Sequence, residues 1–400
     1  MDYITIVSFL LYVGTFVTGF LLDIHPEKKI SARKIYVAWL YIFLCFGYMC
    51  GSDWNTYELD YTNGRGVDRY ITEPISFFIF TVFPKFLPDF WVFCGIAKCI
   101  YLYSLIRLLK CMTFKWISSL ALLMPFSLLF MLISNPLRYM MSLCSINLAL
   151  MWIVNNYCNN IKIKHLWIKV FAMVTISACI QNTSAVFLLL LPCILLYKRI
   201  WKSNRVIIFI LFILVIVLTS EFSAFSELKT KINAYLSLVM GIRDYASWYE
   251  YEDNSALFSL GNLFKVFFLF VVLIYRDKVV SKYSNGVLLY GVSVLALFFE
   301  RFFLLVPTAF RWAIPFDYFY VVFFICCLTC HLTYARIILF YATFLLCKNL
   351  WFSYDLIPYS NSIPYILTGH KPYSERIHYN TDAYQKRTGN TIEAFIDYSY

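Results

Sequence analysis

An all-α, polytopic membrane fold is predicted by three features of this 400-residue sequence. Hydrophobic residues make up 61% of it and charged residues only 14%, a balance that a water-soluble domain of this size cannot bury. Apolar runs about as long as the ~20 residues needed to cross a bilayer recur along nearly the whole chain. The cations fall in short clusters between those runs, as in cytoplasmic loops that retain Lys and Arg. These clusters begin at Lys28, Arg107, Lys162, Lys198 and Arg276. Because the net charge of +11 is spread in this way and not gathered on one arm or face, nucleic acid is excluded as a partner.

With every basic cluster inside, Tyr3 to Leu22 enters the membrane from outside and Ile35 to Cys50 returns, which makes Gly51 to Glu73 external. Ile75 to Leu87 is short, and Pro84 and Pro88 flank its Lys85. As a full span it would put the Arg107 to Lys115 cluster outside, so it is expected to be re-entrant or interfacial. Further spans are expected at Phe90 to Leu109, Trp116 to Ile133, Leu137 to Val154, Leu166 to Ile180 and Ser184 to Tyr197. Val206 to Ser220, Leu260 to Tyr275, Val287 to Val306, Trp312 to Cys330 and Ile337 to Phe352 complete the set. That gives about twelve transmembrane helices with both termini outside, Leu166 to Ile180 and Ser184 to Tyr197 being short for the task. Residues 1–352 form the transmembrane domain, with external loops at 51–73 and 221–259, and 353–400 form an external tail packed on or over the cavity. The first span has neither a basic start nor a small-residue cleavage site and is expected to be retained.

The thirteen cysteines avoid the three long external segments and lie mostly within spans, where Cys behaves as a small hydrophobe. No disulfide framework and no C-x-x-C metal pattern with a second ligand pair is expected.

The abrupt polar break at Gly51-Ser52-Asp53-Trp54-Asn55-Thr56-Tyr57 stands out, because charge at the mouth of an apolar span is costly to keep. Arg138 begins a span at the external surface, and Arg301 and Arg311 bracket another external turn. Arginine keeps its charge at any working pH and grips phosphate with two parallel hydrogen bonds, whereas the competing use of such residues is interfacial anchoring. Asp53 and Glu73, at membrane mouths, are candidates for a general base or for pairing with an arginine, which for Asp53 would be Arg138 or Arg301. Trp54 and Tyr57 have faces suited to sugars and equally to an interfacial belt. Arg243, Trp248, Tyr249 and Glu250 make the middle external loop carbohydrate-friendly. Glu250, Glu252 and Asp253 lack a D-x-D pair, so no metal is expected. His370 and His378 are the histidines on the external side, in a tail too aromatic to be disordered.

Three segments carry a resemblance. Gly51 to Tyr57 resembles the G-x-D-x-x-x-Y signature after the second span of the EpsG family of polysaccharide polymerases. Glu73-Pro74-Ile75-Ser76-Phe77-Phe78 resembles that family's E-P-G-F segment, and Asn135-Pro136-Leu137-Arg138-Tyr139 its arginine at the start of a later span, with Tyr139 where Gln is usual. The chain departs from the family at Gln181-Asn182-Thr183-Ser184, where relatives often carry a histidine; an amide there has no nitrogen that titrates near neutral pH.

The resemblance implies a Wzy-type polymerase of the broad GT-C class in the bacterial inner membrane, its active site facing the periplasm or cell exterior. Such a protein joins oligosaccharide repeat units carried on undecaprenyl diphosphate into O-antigen, capsule or exopolysaccharide. Its partners would be a lipid-linked donor and acceptor, membrane lipid and a protein that sets chain length, with no cofactor. Asp53, Glu73 and Arg138 would be catalytic, and Arg138, Arg301 and Arg311 would hold the diphosphate. Trp54, Tyr57, Arg243, Trp248, Tyr249 and Glu250 would bind sugar. An O-antigen ligase relative is an alternative, although the 221–259 loop lacks the histidine that ligases tend to carry there. A flippase for lipid-linked sugars is another, although no internal repeat is evident.

Overall fold

The computed structural model describes residues 3–23, 29–50, 54–64, 67–134, 136–158, 161–219, 260–303, 309–330, 333–352 and 359–388. It is all-α: among the described residues there is no strand, only one isolated antiparallel bridge between Gly47 and Asn361. Among the described residues, five stretches are helical and apolar for long enough to cross a membrane, namely Phe90–Met112, Leu137–Tyr157, Asn182–Lys202, Gly286–Phe303 and Arg311–Thr329. Shorter apolar helices accompany them, including Pro74–Lys85 and Trp116–Leu132. Ser184 to Tyr197 falls inside a longer helical stretch than expected, whereas Leu166–Ile180 is as short as the sequence makes it.

Contacts divide the chain into two compact units, one of residues 1–153, 164–185 and 339–400 and the other of 154–163 and 186–338. In the first, α1 (Tyr3–Leu22) and α2 (Ile30–Cys45) lead into α3 (Trp54–Asn63) and α4 (Pro74–Val82). Helix α2 starts five residues earlier than expected and stops at Cys45, so the Ile35 to Cys50 boundaries are corrected. The physical reason lies in the tail. Phe46 to Cys50 leave the helix, Met49 adopts φ 53°, and the freed backbone pairs with residues far along the chain. Tyr48 N–H donates to the Ser360 carbonyl (2.9 Å) and Ser362 N–H to that of Phe46 (2.7 Å), which satisfies polar groups that an apolar setting would penalise.

The 51–73 segment is itself largely helical, with α3 followed by a 3-10 turn at Val67–Tyr70. Pro74 occupies the first turn of α4, where its missing N–H costs nothing. Helix α5 (Phe90–Met112) is capped by Asp89, whose carboxylate accepts from the N–H groups of Trp91 (2.8 Å) and Val92 (3.1 Å). Next come α6 (Trp116–Leu123) and α7 (Leu129–Leu132), joined by a π-helical turn at Pro125, where the ring removes a ladder hydrogen bond. Helix α8 (Leu137–Tyr157) and α9 (Leu166–Ile180) follow.

The second unit contains α10 (Phe187–Cys193), α11 (Tyr197–Lys202), α12 (Arg205–Thr219), α13 (Leu260–Lys282), α14 (Gly286–Phe303) and α15 (Ile314–Thr329). Its core is the α14 and α15 pair, with Phe316 to Phe324 buried in unbroken sequence. Gly291 lets α14 approach α11 closely, because a Cβ there would lie 2.6 Å from the Cα of Tyr197. Helix α16 (Thr333–Phe352) precedes the tail, which in the first unit supplies α17 (Ile363–Thr368) and α18 (Tyr373–Thr388). None of the thirteen cysteines is paired in a disulfide.

Candidate functional site

In the first unit, four segments of the sequence meet around one guanidinium. Arg138, in the first turn of α8, pairs through Nη1 with Oε2 of Glu73, the residue that caps α4. Glu73 is buried and its second oxygen, Oε1, accepts the backbone N–H of Asn182 at 3.0 Å. The Asn182 amide donates onward to the Thr72 hydroxyl (2.8 Å). Tyr70 lies beneath the guanidinium, 4.8 Å from Arg138 Cζ to the ring centre, a cation–π contact. Its phenol donates to Asp60 on α3, and burial, reinforced by that neighbouring carboxylate, raises its pKa, so it stays a protonated donor. Tyr57, half-buried on α3 and stacked on Phe80 at 5.9 Å, also engages Arg138. Tyr57 and Tyr61, four residues apart on α3, both pack against Phe80 of α4.

The Glu73 carboxylate is thus occupied on both oxygens. In this arrangement it orients Arg138 and is not poised to take a proton from a substrate. Part of the Arg138 side chain, 23%, remains exposed, so the cation is held in place without being fully covered.

The α3 face bearing Trp54 and Glu58 meets the tail. Glu58 and Arg376 form a two-pronged buried pair at 2.6 and 2.9 Å, and Arg376 Nε donates to the Lys371 carbonyl (3.0 Å). Trp54 has no exposed surface; its indole packs on Trp91 (5.5 Å) and beneath Arg376 (5.4 Å). In this structure no face of Trp54 is open. His370 joins the contact, with Nε2 2.9 Å from Asp89 Oδ2 and Nδ1 3.2 Å from the Tyr48 hydroxyl. His378 is exposed.

These placements set three separated stretches, Tyr57, Glu73 and Arg138, into one cluster together with the Asn182 turn. A family model, EpsG family, matches residues 5–367. The chain belongs to the EpsG family. No curated protein and no solved structure matches it. As an EpsG-family chain it is a membrane protein of polysaccharide biosynthesis.

The second unit of this EpsG protein holds a polar cluster of its own. Arg301 is buried, its guanidinium donating to Asn262 Oδ1 and, at 2.9 Å, to the Thr219 hydroxyl, so its described partners are neutral. The neighbouring Glu300 pairs with Lys265 and accepts from the Tyr320 hydroxyl at 3.0 Å. Asp317, buried on α15, lies against Glu300, and its Oδ1 has no partner among the described residues. Arg311 sits half-buried in the 3-10 turn Ala309–Ala313. The sequence reading missed Asn262, Lys265 and Asp317. Ionisable residues inside apolar spans were the available signal, since they seldom persist there without a task.

Lys265→Met is expected to destabilise the second unit by about 1–3 kcal/mol, because the half-buried Glu300 would be left without its cation. Lys265→Met with Glu300→Gln should recover most of that loss. Thermal unfolding of the purified variants reads both, and an unchanged midpoint in the single variant would refute the pairing.

Asp53, Arg243, Trp248, Tyr249 and Glu250 lie outside the described residues, as does the Glu250 to Asp253 acidic group. Among the described residues no three His, Cys, Asp or Glu side chains are gathered as a metal site would need.

Proposed function

We propose that this EpsG protein polymerises oligosaccharide repeat units carried on undecaprenyl diphosphate. The observation that carries the reading is the Arg138 cluster: one cation fixed by Glu73, Tyr57 and Tyr70, with part of its side chain still exposed. Transfer needs a cation where negative charge grows. The acceptor hydroxyl oxygen bonds to the donor's anomeric carbon, the bond from that carbon to the diphosphate oxygen breaks, and the lipid diphosphate departs with its electron pair. Arg138 stabilises that developing charge, a role in which a preorganised donor outperforms water. The hydroxyl proton passes to a carboxylate, and because both oxygens of Glu73 are engaged we assign that role to Asp53. Arg301 and Arg311 are further diphosphate ligands in this reading, and Tyr57 is a sugar contact. The reaction takes place on the outer face of the cytoplasmic membrane.

Deletion of the gene followed by gel analysis of surface glycan tests the reaction class. Single repeat units on the surface are expected. Absence of all surface glycan would instead indicate a flippase, and polymer unattached to its final acceptor would indicate a ligase.

A further inference from the structure

In the first unit, α1 and α2 enclose an open groove of about 400 Å³. Leu10, Gly14 and Thr18 form one wall, and Ile35, Tyr36 and Trp39 the other. The polar tips of that second wall are turned inward: the Tyr36 hydroxyl donates to the Thr15 carbonyl (2.9 Å) and Trp39 Nε1 to the Thr15 hydroxyl (3.0 Å). Hydrocarbon is what remains on display. Gly14 keeps the trough open, since a Cβ there would meet nothing within 4 Å. Leu10 to Leu22 is twelve helical steps, or roughly 18 Å, and a single leaflet of hydrocarbon is about 15 Å deep.

The end of the groove at Leu22 and Ala32 is ringed with cations. Lys29 lies there with Nζ on the Leu21 carbonyl (2.9 Å), and Arg33 follows Ala32 on α2. Lys110 and Arg33 both stand over the Trp116 ring, at 4.5 and 5.5 Å, and Lys115 reaches the Asp23 carbonyl. Among the described residues, these four cations accompany one acid, Asp23, which is buried and already bound to Arg33 (3.2 Å) and Ser118 N–H (2.8 Å). An excess of positive charge among the described residues, at the mouth of an apolar trough one leaflet deep, fits an anionic lipid.

We propose that this groove binds an anionic phospholipid, one acyl chain lying along Gly14 and Trp39 and the headgroup phosphate seated on Lys29 and Arg33. The site differs from the one that would take the lipid-linked donor. Its charged end is at the start of α2, whereas the Arg138 cluster belongs to segments that follow the end of α2.

The test is native mass spectrometry of the purified full chain in nanodiscs of matched-chain phosphatidylglycerol and phosphatidylcholine. Phosphatidylglycerol should be retained at least about tenfold more tightly. Each cation removed should cost about fivefold in its affinity, so Lys29→Gln should show that loss. Gly14→Leu, which has room to fold, should fill the trough and lower retention of phosphatidylglycerol while Lys29 remains. Equal retention of the two lipids, or no effect of Gly14→Leu, would overturn the site. A wild-type dimer lost in Gly14→Leu would also overturn it, because the groove's occupant would then be a second copy of the chain.

Discussion

Arg138→Ala should lower polymerisation of lipid-linked repeat units by about 100-fold or more at matched protein level, the usual consequence of removing a preorganised charge-stabilising donor. The simple variant also leaves Glu73 buried beside no cation, so lost activity could reflect lost folding. Pairing Arg138→Ala with Glu73→Gln removes that difficulty: the double variant should regain stability and remain inactive. Arg138→Lys retains the charge but not the planar fork that Glu73, Tyr57 and a diphosphate can share, and about a tenfold loss is expected. Lys115→Arg, whose ammonium meets the Asp23 carbonyl elsewhere in the first unit, should leave the glycan ladder intact. Near-normal ladders from both Arg138→Lys and the double variant would remove Arg138 from the reaction.

The second large effect concerns the tail. Arg376→Ala is expected to destabilise the first unit by about 3–5 kcal/mol, because Glu58 would remain as an unpaired buried carboxylate on α3. Replacing both members together, Glu58→Leu with Arg376→Leu, should cost far less, since removal of a buried pair avoids the stranded charge. Thermal unfolding in detergent and the protease sensitivity of α18 read the difference. An Arg376→Ala protein that unfolds like the parent would show that the pair does not hold the tail in place. Tyr373 titrates high beside this pair, its pKa pushed up to about 12 by burial and then by the Glu58 carboxylate. It therefore stays a neutral phenol and does not compete for the arginine.

Much of this was legible along the chain, for identifiable reasons. Tyr3–Leu22 is helical over the range that its apolar run marks out. The short Ile75 to Leu87 stretch is a short helix ended near Pro84, as its prolines require. Glu73 and Arg138 were singled out because a charge at the mouth of a span is costly, and the structure puts them in contact. Their pairing was not legible, since 65 residues separate them and no periodicity links α4 to α8. Asn182 was read as a lost histidine, whereas its contribution to Glu73 comes from backbone, which any residue could supply. Phe46 to Cys50 look like the end of a span because they are apolar; their departure from the helix depends on tail residues more than 300 positions away. Trp54 shows the converse, since an aromatic at a polar break looks like a surface residue until its distant cover is known. Lys265 and Asp317 were obscured by averaging, because one charge barely changes the hydropathy of a long run.

The Glu58–Arg376 clamp also bears on how the protein is made. Translation delivers α3 more than three hundred residues before its partner arginine. Until Arg376 has left the ribosome, Glu58 has to be tolerated by the insertion machinery without its counter-charge, so the nascent segment must remain hydrated or protonated in the meantime. The amino-terminal helices can enter the bilayer early, but this part of the unit cannot close before the end of synthesis. Biogenesis is thereby coupled to completion of the chain: a product stalled or cleaved before residue 376 carries an exposed acid on α3, a mark by which quality-control proteases can distinguish it from the finished protein.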